Sequence, residues 1–183
     1  MKIKEIIKNV AVVLGLGDVV ELINDGGNTK ELLGNINYSI LVRCASFVVT
    51  NIATNYIPLI DKQSFDVVDG KIRLSAFSQP FISARSVKRN GRVVEYKLYT
   101  GHLKVPNGRH EVEYSYLPCI KTGEEQNPFE VAPVALEYGI LAEYSFISGM
   151  FNEANVWSEK FTELLFHARR GKTVIMPSAY EVR

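Results

Sequence analysis

Residues 67–96 read VVDGKIRLSAFSQPFISARSVKRNGRVVEY. Two turn dipeptides, Asp69-Gly70 and Asn90-Gly91, stand between runs of β-prone side chains. A third, Asn107-Gly108, lies inside the run from His102 to Tyr116. Such pairs favour hairpins because a type I′ turn needs positive φ at both central residues. The flanks agree, with Val93, Val94, Tyr96, Leu98 and Tyr99 on one side and Val112, Tyr114 and Tyr116 on the other. Three signals so close together predict a small antiparallel sheet or meander in the middle of the chain.

On either side the apolar period changes to that of a helix. Upstream, Ile6, Ile7, Val10, Val13 and Leu14 predict a helix from Lys4 to Leu14, broken by Gly15 and Gly17. Asp18 is the expected N-cap of a short helix to Ile23, ended by Gly26-Gly27. Asn28 with Glu31 three residues on predicts a capping box. The long helix that follows would turn Leu33, Ile36, Ile40, Cys44, Phe47, Val48 and Ile52 to the core, and Pro58 and Asp61 close it. Downstream, Pro128 and Pro133 bracket a helix start, with Glu130 where the helix dipole favours an anion. That helix carries Leu136, Ile140, Leu141, Tyr144, Ile147 and Met150. A second has Trp157, Phe161, Leu164, Leu165 and Ala168, with His167, Arg169 and Arg170 before Gly171. Helices, then strands, then helices predict the α+β class. The expected layout is N-terminal helices (1–60) packed with a C-terminal helical pair (121–171). Between them sits an antiparallel β-hairpin-rich insertion (61–120), and a C-terminal tail (172–183) follows.

The 183 residues suit one domain, or one core with an attached subdomain. At 46% hydrophobic and 22% charged, the chain is not of the disordered class. A net charge of +1 gives no global drive toward nucleic acid or membrane. Cys44 and Cys119 form no CxxC or disulfide framework, so a reducing compartment is expected. Charge interrupts the apolar residues of Met1 to Lys8, and Val10 to Leu16 is short for a signal peptide. No window approaches the roughly twenty apolar residues of a membrane span, so a soluble intracellular chain is expected.

Catalytic patterns are missing from the sequence. Gly15-Leu16-Gly17 lacks both the spacing of a dinucleotide loop and a preceding strand. There is no P-loop and no G-x-S-x-G elbow. His102, His110 and His167 are too scattered for a zinc pattern. His102 and His110 flank Asn107-Gly108 and could face each other across a hairpin, where they read as polar surface residues. Glu124-Glu125 reads as a solvated loop pair, Cys44 as packing, and Cys119 as a loop thiol with no basic neighbour beyond Lys121. The expectation is a protein that is not an enzyme and needs no cofactor or metal.

Charge is segregated along the chain. Between 85 and 109, Arg85, Lys88, Arg89, Arg92, Lys97, Lys104 and Arg109 face one acid, Glu95. Between 111 and 163, ten Glu face Lys121 and Lys160. These are either solvated faces or complementary surfaces of neighbouring copies, which would close into a ring if the rotation permits. The basic stretch 85–92 has no interleaved aromatics of the single-strand-binding type. The aromatics of the last two helices exceed what one buried stripe needs, which suits a subunit interface.

Residues 127–170, NPFEVAPVALEYGILAEYSFISGMFNEANVWSEKFTELLFHARR, resemble the head-to-tail adaptor (connector) proteins of tailed bacteriophages, of the tail tubular protein A type. In that family a proline-led helix rich in Ala, Leu and Tyr precedes a helix with an aromatic near its start and basic residues at its end. Here these are Pro133 to Phe151 and Glu153 to Arg170, and the stretch 67–96 looks like the family's turn-rich insertion. The N-terminal segment departs from the pattern in being more apolar and broken by glycine. The resemblance implies a structural virion protein, a homo-oligomeric ring usually of twelve copies. The ring would bind the portal protein on one side and a tail or nozzle protein on the other. It would extend a channel through which DNA passes without sequence-specific binding, with no membrane and no cofactor. Its place would be the virion neck, after assembly in the host cytoplasm. Together with the charge pattern, it puts Arg85, Lys88, Arg89 and Arg92 on an inter-subunit or tail-facing surface. Thr173, Val174, Ile175, Met176, Tyr180 and Val182 would form a tail docking on the portal or a neighbour. The alternatives are a tail-completion or neck protein lower in the same assembly, and an unrelated small-molecule-binding α+β domain.

Overall fold

The computed structural model describes residues 1–170. Four helices come first: α1 (Ile3–Val13), α2 (Gly17–Asn24), α3 (Thr29–Gly34) and α4 (Ile36–Asn51). A π turn, Ile52–Tyr56, prolongs α4. Seven strands follow: β1 (Leu59–Val67), β2 (Lys71–Arg73), β3 (Phe81–Arg89), β4 (Arg92–Val93), β5 (Lys97–Tyr99), β6 (His102–Lys104) and β7 (Gly108–Tyr116). Helices α5 (Pro133–Ile147) and α6 (Phe151–Arg170) complete the order. The class is α+β, with a helical core and a separate β core.

In the helical core α5 packs on α1, α4 and α6. Helical spacing sets Ile3, Ile6, Ile7, Val10 and Ala11 of α1 on one fully buried face. The first N–H groups of a helix have no partner within it. Those of Ile3 and Lys4 donate to the carbonyls of Glu125 and Gly123, at 2.9 and 2.7 Å. Glu124 and Glu125 are therefore no solvated pair. Glu124 bridges Lys2 and Lys4 at 2.8 and 2.6 Å. The Glu125 carboxylate accepts from the N–H groups of Lys121, Thr122 and Gly123. Loop 121–127 thus clasps the start of α1.

The expected long helix is two. Asn35, in extended conformation, ends α3 and caps α4, its side chain accepting from the Tyr38 N–H at 3.0 Å. Asp18 does not cap α2; its carboxylate accepts from the side-chain amides of Asn35 and Asn37 instead. The new start rotates the buried stripe to Tyr38, Leu41, Val42, Cys44, Ala45, Val48 and Val49. Ile36 and Phe47, expected in the core, are 74% and 56% exposed. Tyr38 holds this phase by donating its hydroxyl to the Thr122 carbonyl at 2.8 Å. From Ile36 to Tyr56 the helical run has 21 residues, with a mean hydropathy of 1.3 over its most apolar 18-residue window. By length and composition alone it passes for a membrane span, as the buried core helix of a globular domain also does. Half of that window is buried inside the chain, where it packs in the helical core.

The capping box at α3 is as expected. The Asn28 side chain accepts from the Lys30 and Glu31 N–H groups, and Glu31 accepts from the Asn28 N–H at 2.9 Å. Asn28→Ala is expected to cost about 1 kcal/mol in urea unfolding, and Asn28→Gly a few tenths. No loss for Asn28→Ala would show that the cap contributes nothing.

The strands form two antiparallel sheets, β1-β7-β3-β4 and β2-β6-β5, and not a meander. Of the three Asx-Gly pairs, only Asn90-Gly91 joins paired strands, with φ of 50° and 77°. Asp69-Gly70 and Asn107-Gly108 each carry the chain from one sheet to the other. A second hairpin, β5–β6, turns at Thr100-Gly101. An Asx-Gly pair encodes a reversal of direction; which strand it then pairs with depends on burial. Phe65, Val67, Val87, Val112 and Tyr114 of one sheet meet Ile72 and Leu103 of the other. Phe77, between them, lies 4.5 Å ring to ring from Tyr114. His110 is on this inner face, with Nε2 2.8 Å from the Pro106 carbonyl oxygen. His102 lies in the other sheet, so the two histidines do not face each other across a hairpin.

Candidate interaction surfaces

The four cations singled out in sequence do not converge. Arg89 and Arg92 are directly opposite each other in the β3–β4 register and share a face. Lys88, opposite Glu111 and Val93, points to the other face. Arg85 sits at a bulge between Ala84 and Ser86. The Arg89 guanidinium lies on Gly108, where a Cβ would meet three of its atoms at 3.0–3.1 Å. Gly108, at φ 124°, permits that approach. Among the described residues, none of the four cations forms an ion pair or a side-chain hydrogen bond. Thr173, Val174, Ile175, Met176, Tyr180 and Val182 lie outside the described residues.

The opposing charge lies on α6, which exposes Glu153, Glu159 and Glu163. At the α5–α6 turn, Phe146, Ile147, Met150 and Phe151 are exposed together. Phe146 and Phe151 meet edge to face at 5.7 Å. The sequence expectation ran this helix on through Ile147 and Met150 to about Phe151. Instead the helix ends at Ile147, and Gly149, at φ 77°, reverses the chain and leaves Ile147 and Met150 exposed.

A third surface was missed in the sequence. In the three-stranded sheet Lys71 pairs with Lys104 and Lys104 with Lys97, so three lysines form one row across it. The next row on that face is Arg73, His102 and Tyr99. The His102 ring stacks on Tyr99 at 5.2 Å and 9°. Ile72 and Leu103 point inward between the rows. Beside this face runs a groove of about 750 Å³, lined by Val93–Lys97, Tyr99 and Lys104–Pro106. One wall is held by Tyr96, whose hydroxyl donates to the Ala84 carbonyl at 2.8 Å. A signal was present: Lys-Ile-Arg, Lys-Leu-Tyr and His-Leu-Lys each alternate a polar or aromatic residue with an aliphatic one. That 71–73 would pair with 102–104 was not readable.

No group of three or more His, Cys, Asp or Glu among the described residues could hold a metal ion. Cys44 is buried in the helical core, which pushes its thiol up to about 11, and Cys119 is exposed. No protein-family model matches the chain, and no curated protein matches it.

Proposed function

We propose that the protein is a structural subunit of the head-to-tail connector of a tailed bacteriophage. It would form a ring between portal and tail around the DNA channel. The observation that carries this reading is the separation of unpartnered surfaces. The β3–β4 hairpin presents Arg89 and Arg92 on one face and Lys88 on the other, with Arg85 at the bulge behind them, and none of the four is in an ion pair among the described residues. The α5–α6 end presents carboxylates beside exposed aromatics. Two different complementary patches on one chain make a heterologous contact, and a heterologous contact closes into a ring where its rotation divides the circle. Charge steers the encounter and sets orientation, while Phe146 and Phe151 supply apolar area to bury. On this reading the portal and a tail or nozzle protein are the flanking partners. DNA passes through without sequence-specific contact, and the role is architectural with no cofactor. Residues 172–183 would dock on the portal or a neighbour, and a chain ending at Gly171 should then lose portal binding.

The test is assembly. Sedimentation velocity of the full chain at about 50 and 500 mM salt should show a ring that weakens as charge is screened. The triple variant Arg85→Glu, Lys88→Glu, Arg89→Glu should sediment as monomer. Glu153→Lys with Glu159→Lys should do the same, and mixing the two variants should restore mixed assemblies. Full assembly by the triple variant would overturn the charge-complementary contact.

A further inference from the structure

We infer that the outer face of the three-stranded sheet, with the groove beside it, binds single-stranded nucleic acid. Lys71, Lys97 and Lys104 would hold phosphates, and a base would stack on Tyr99. This surface is separate from the hairpin cations, and the inference does not depend on ring formation.

The lysine row carries the argument. Directly paired residues on one face of a sheet have Cβ atoms about 4.5–5.5 Å apart, and like charges so placed repel. The four-stranded sheet avoids this on its own outer face. There Lys62 pairs with Glu113, at 3.5 Å between side chains, and Lys88 lies opposite Glu111. In the three-stranded sheet Lys71, Lys104 and Lys97 follow one another with no acid between them. Among the described residues none of the three forms an ion pair. Asp69 accepts only the backbone N–H of Lys71, at 3.3 Å, and Glu95 lines the groove wall. A face that repels itself and has no internal partner is complementary to a polyanion.

The second row narrows the class of polyanion. It stands two residues along each strand, about 6.8 Å from the first. Arg73 adds charge, and Tyr99, 45% exposed, offers the ring face that His102 does not cover. Unpaired bases stack on such rings regardless of sequence. A duplex keeps its bases stacked inside and presents nothing to Tyr99. An acidic protein helix would pair with the lysines but leave the aromatic face and the groove unused. The groove, with Val93, Val94, Tyr96, Val105 and Pro106 beside Lys97 and Lys104, has the volume and mixed lining of a small-molecule pocket. It can take a base with its phosphate.

Fluorescence anisotropy of the full chain with a labelled oligo-dT tests this. Binding is expected in the micromolar range at low salt. Three phosphate contacts predict a slope of log affinity against log salt of about −2, at about −0.7 per phosphate. Lys97→Glu should weaken binding at least tenfold, and Lys97→Gln should make the slope about 0.7 shallower. Tyr99→Ala should weaken binding about tenfold with the slope unchanged. The charge-matched control Lys30→Glu, on α3, should leave it unaltered. Lys104→Gln should lose affinity while its Tm rises by about 2 °C, because repulsion in the row is relieved. That combination cannot come from misfolding. The inference is overturned by any of three results: no binding at about 100 μM protein, equal affinity for poly-glutamate, or duplex bound as tightly as oligo-dT with no effect of Tyr99→Ala. None of these bears on ring assembly.

Discussion

Gly139→Val is expected to destabilise the fold by about 3 kcal/mol, measured by urea unfolding. Gly139 lies in the middle of α5, where it faces α4 and α6. A Cβ there would stand 2.7 Å from Val48 Cγ1 and 3.0–3.1 Å from Phe161 Cε2 and Cδ2. Neither neighbour yields easily. Val48 is β-branched on a helix and holds one preferred rotamer. Phe161 is buried and meets Tyr56 edge to face at 6.2 Å. A glycine inside a helix costs about 1 kcal/mol relative to alanine. Gly139→Ala therefore gains that propensity and loses more through overlap, for a net loss of about 1 kcal/mol. If Gly139→Ala instead stabilised the protein by about 1 kcal/mol, the close approach of α4, α5 and α6 would be wrong.

The second large effect is at the clasp. Glu125→Ala is expected to cost about 2 kcal/mol, because it strips the partner from three backbone donors at once. Their distances to the carboxylate are 2.9, 3.2 and 2.8 Å, and the Thr122 hydroxyl adds a fourth at 3.3 Å. Burial by itself would raise the Glu125 carboxyl, but the N–H groups of Lys121, Thr122 and Gly123 together hold it below the ordinary value. Glu124 is lowered too, first by the hydrogen bond from Lys2 and then by that from Lys4. A carboxyl lowered in the folded state stabilises fully above its unfolded pKa of about 4.3 and loses that contribution as pH falls through the folded value. The Tm should stay level from pH 7 to about 5 and drop below about 4. Glu125→Gln should remove part of that drop, and an unchanged acid limb would show the clasp plays no part. At the alkaline end Tyr38, pushed up to about 12 by burial, favours its neutral form in the fold. Its contribution is therefore lost as pH rises above about 10.

The helical body was largely legible because its signals are local. The Asn28–Glu31 cap needs only four consecutive residues. The α1 stripe of Ile6, Ile7 and Val10 needs only period, although Val13, expected with them, is exposed and Ile3, outside the expected helix, is buried. The same logic failed at Asn35, a residue that reads equally as helix interior or cap. What decided it was the approach of Asp18, which takes the amides of Asn35 and Asn37. Glu124-Glu125 looked solvated because neither the N-terminal lysines nor the loop's own N–H groups can be placed from sequence.

Period, turn chemistry and the order of elements thus determined the α+β class, the α3 cap, the proline-led start of α5 and the Asn90-Gly91 hairpin. Each is settled by interactions within a few residues. The tertiary structure alone decided which strands pair, and so which cations become neighbours. The four basic residues adjacent in sequence, Arg85 to Arg92, were divided between opposite faces because side chains alternate along a strand. Lys71, Lys104 and Lys97, spread over more than thirty positions, were brought into one row because burying Ile72 and Leu103 against the other sheet fixes the register.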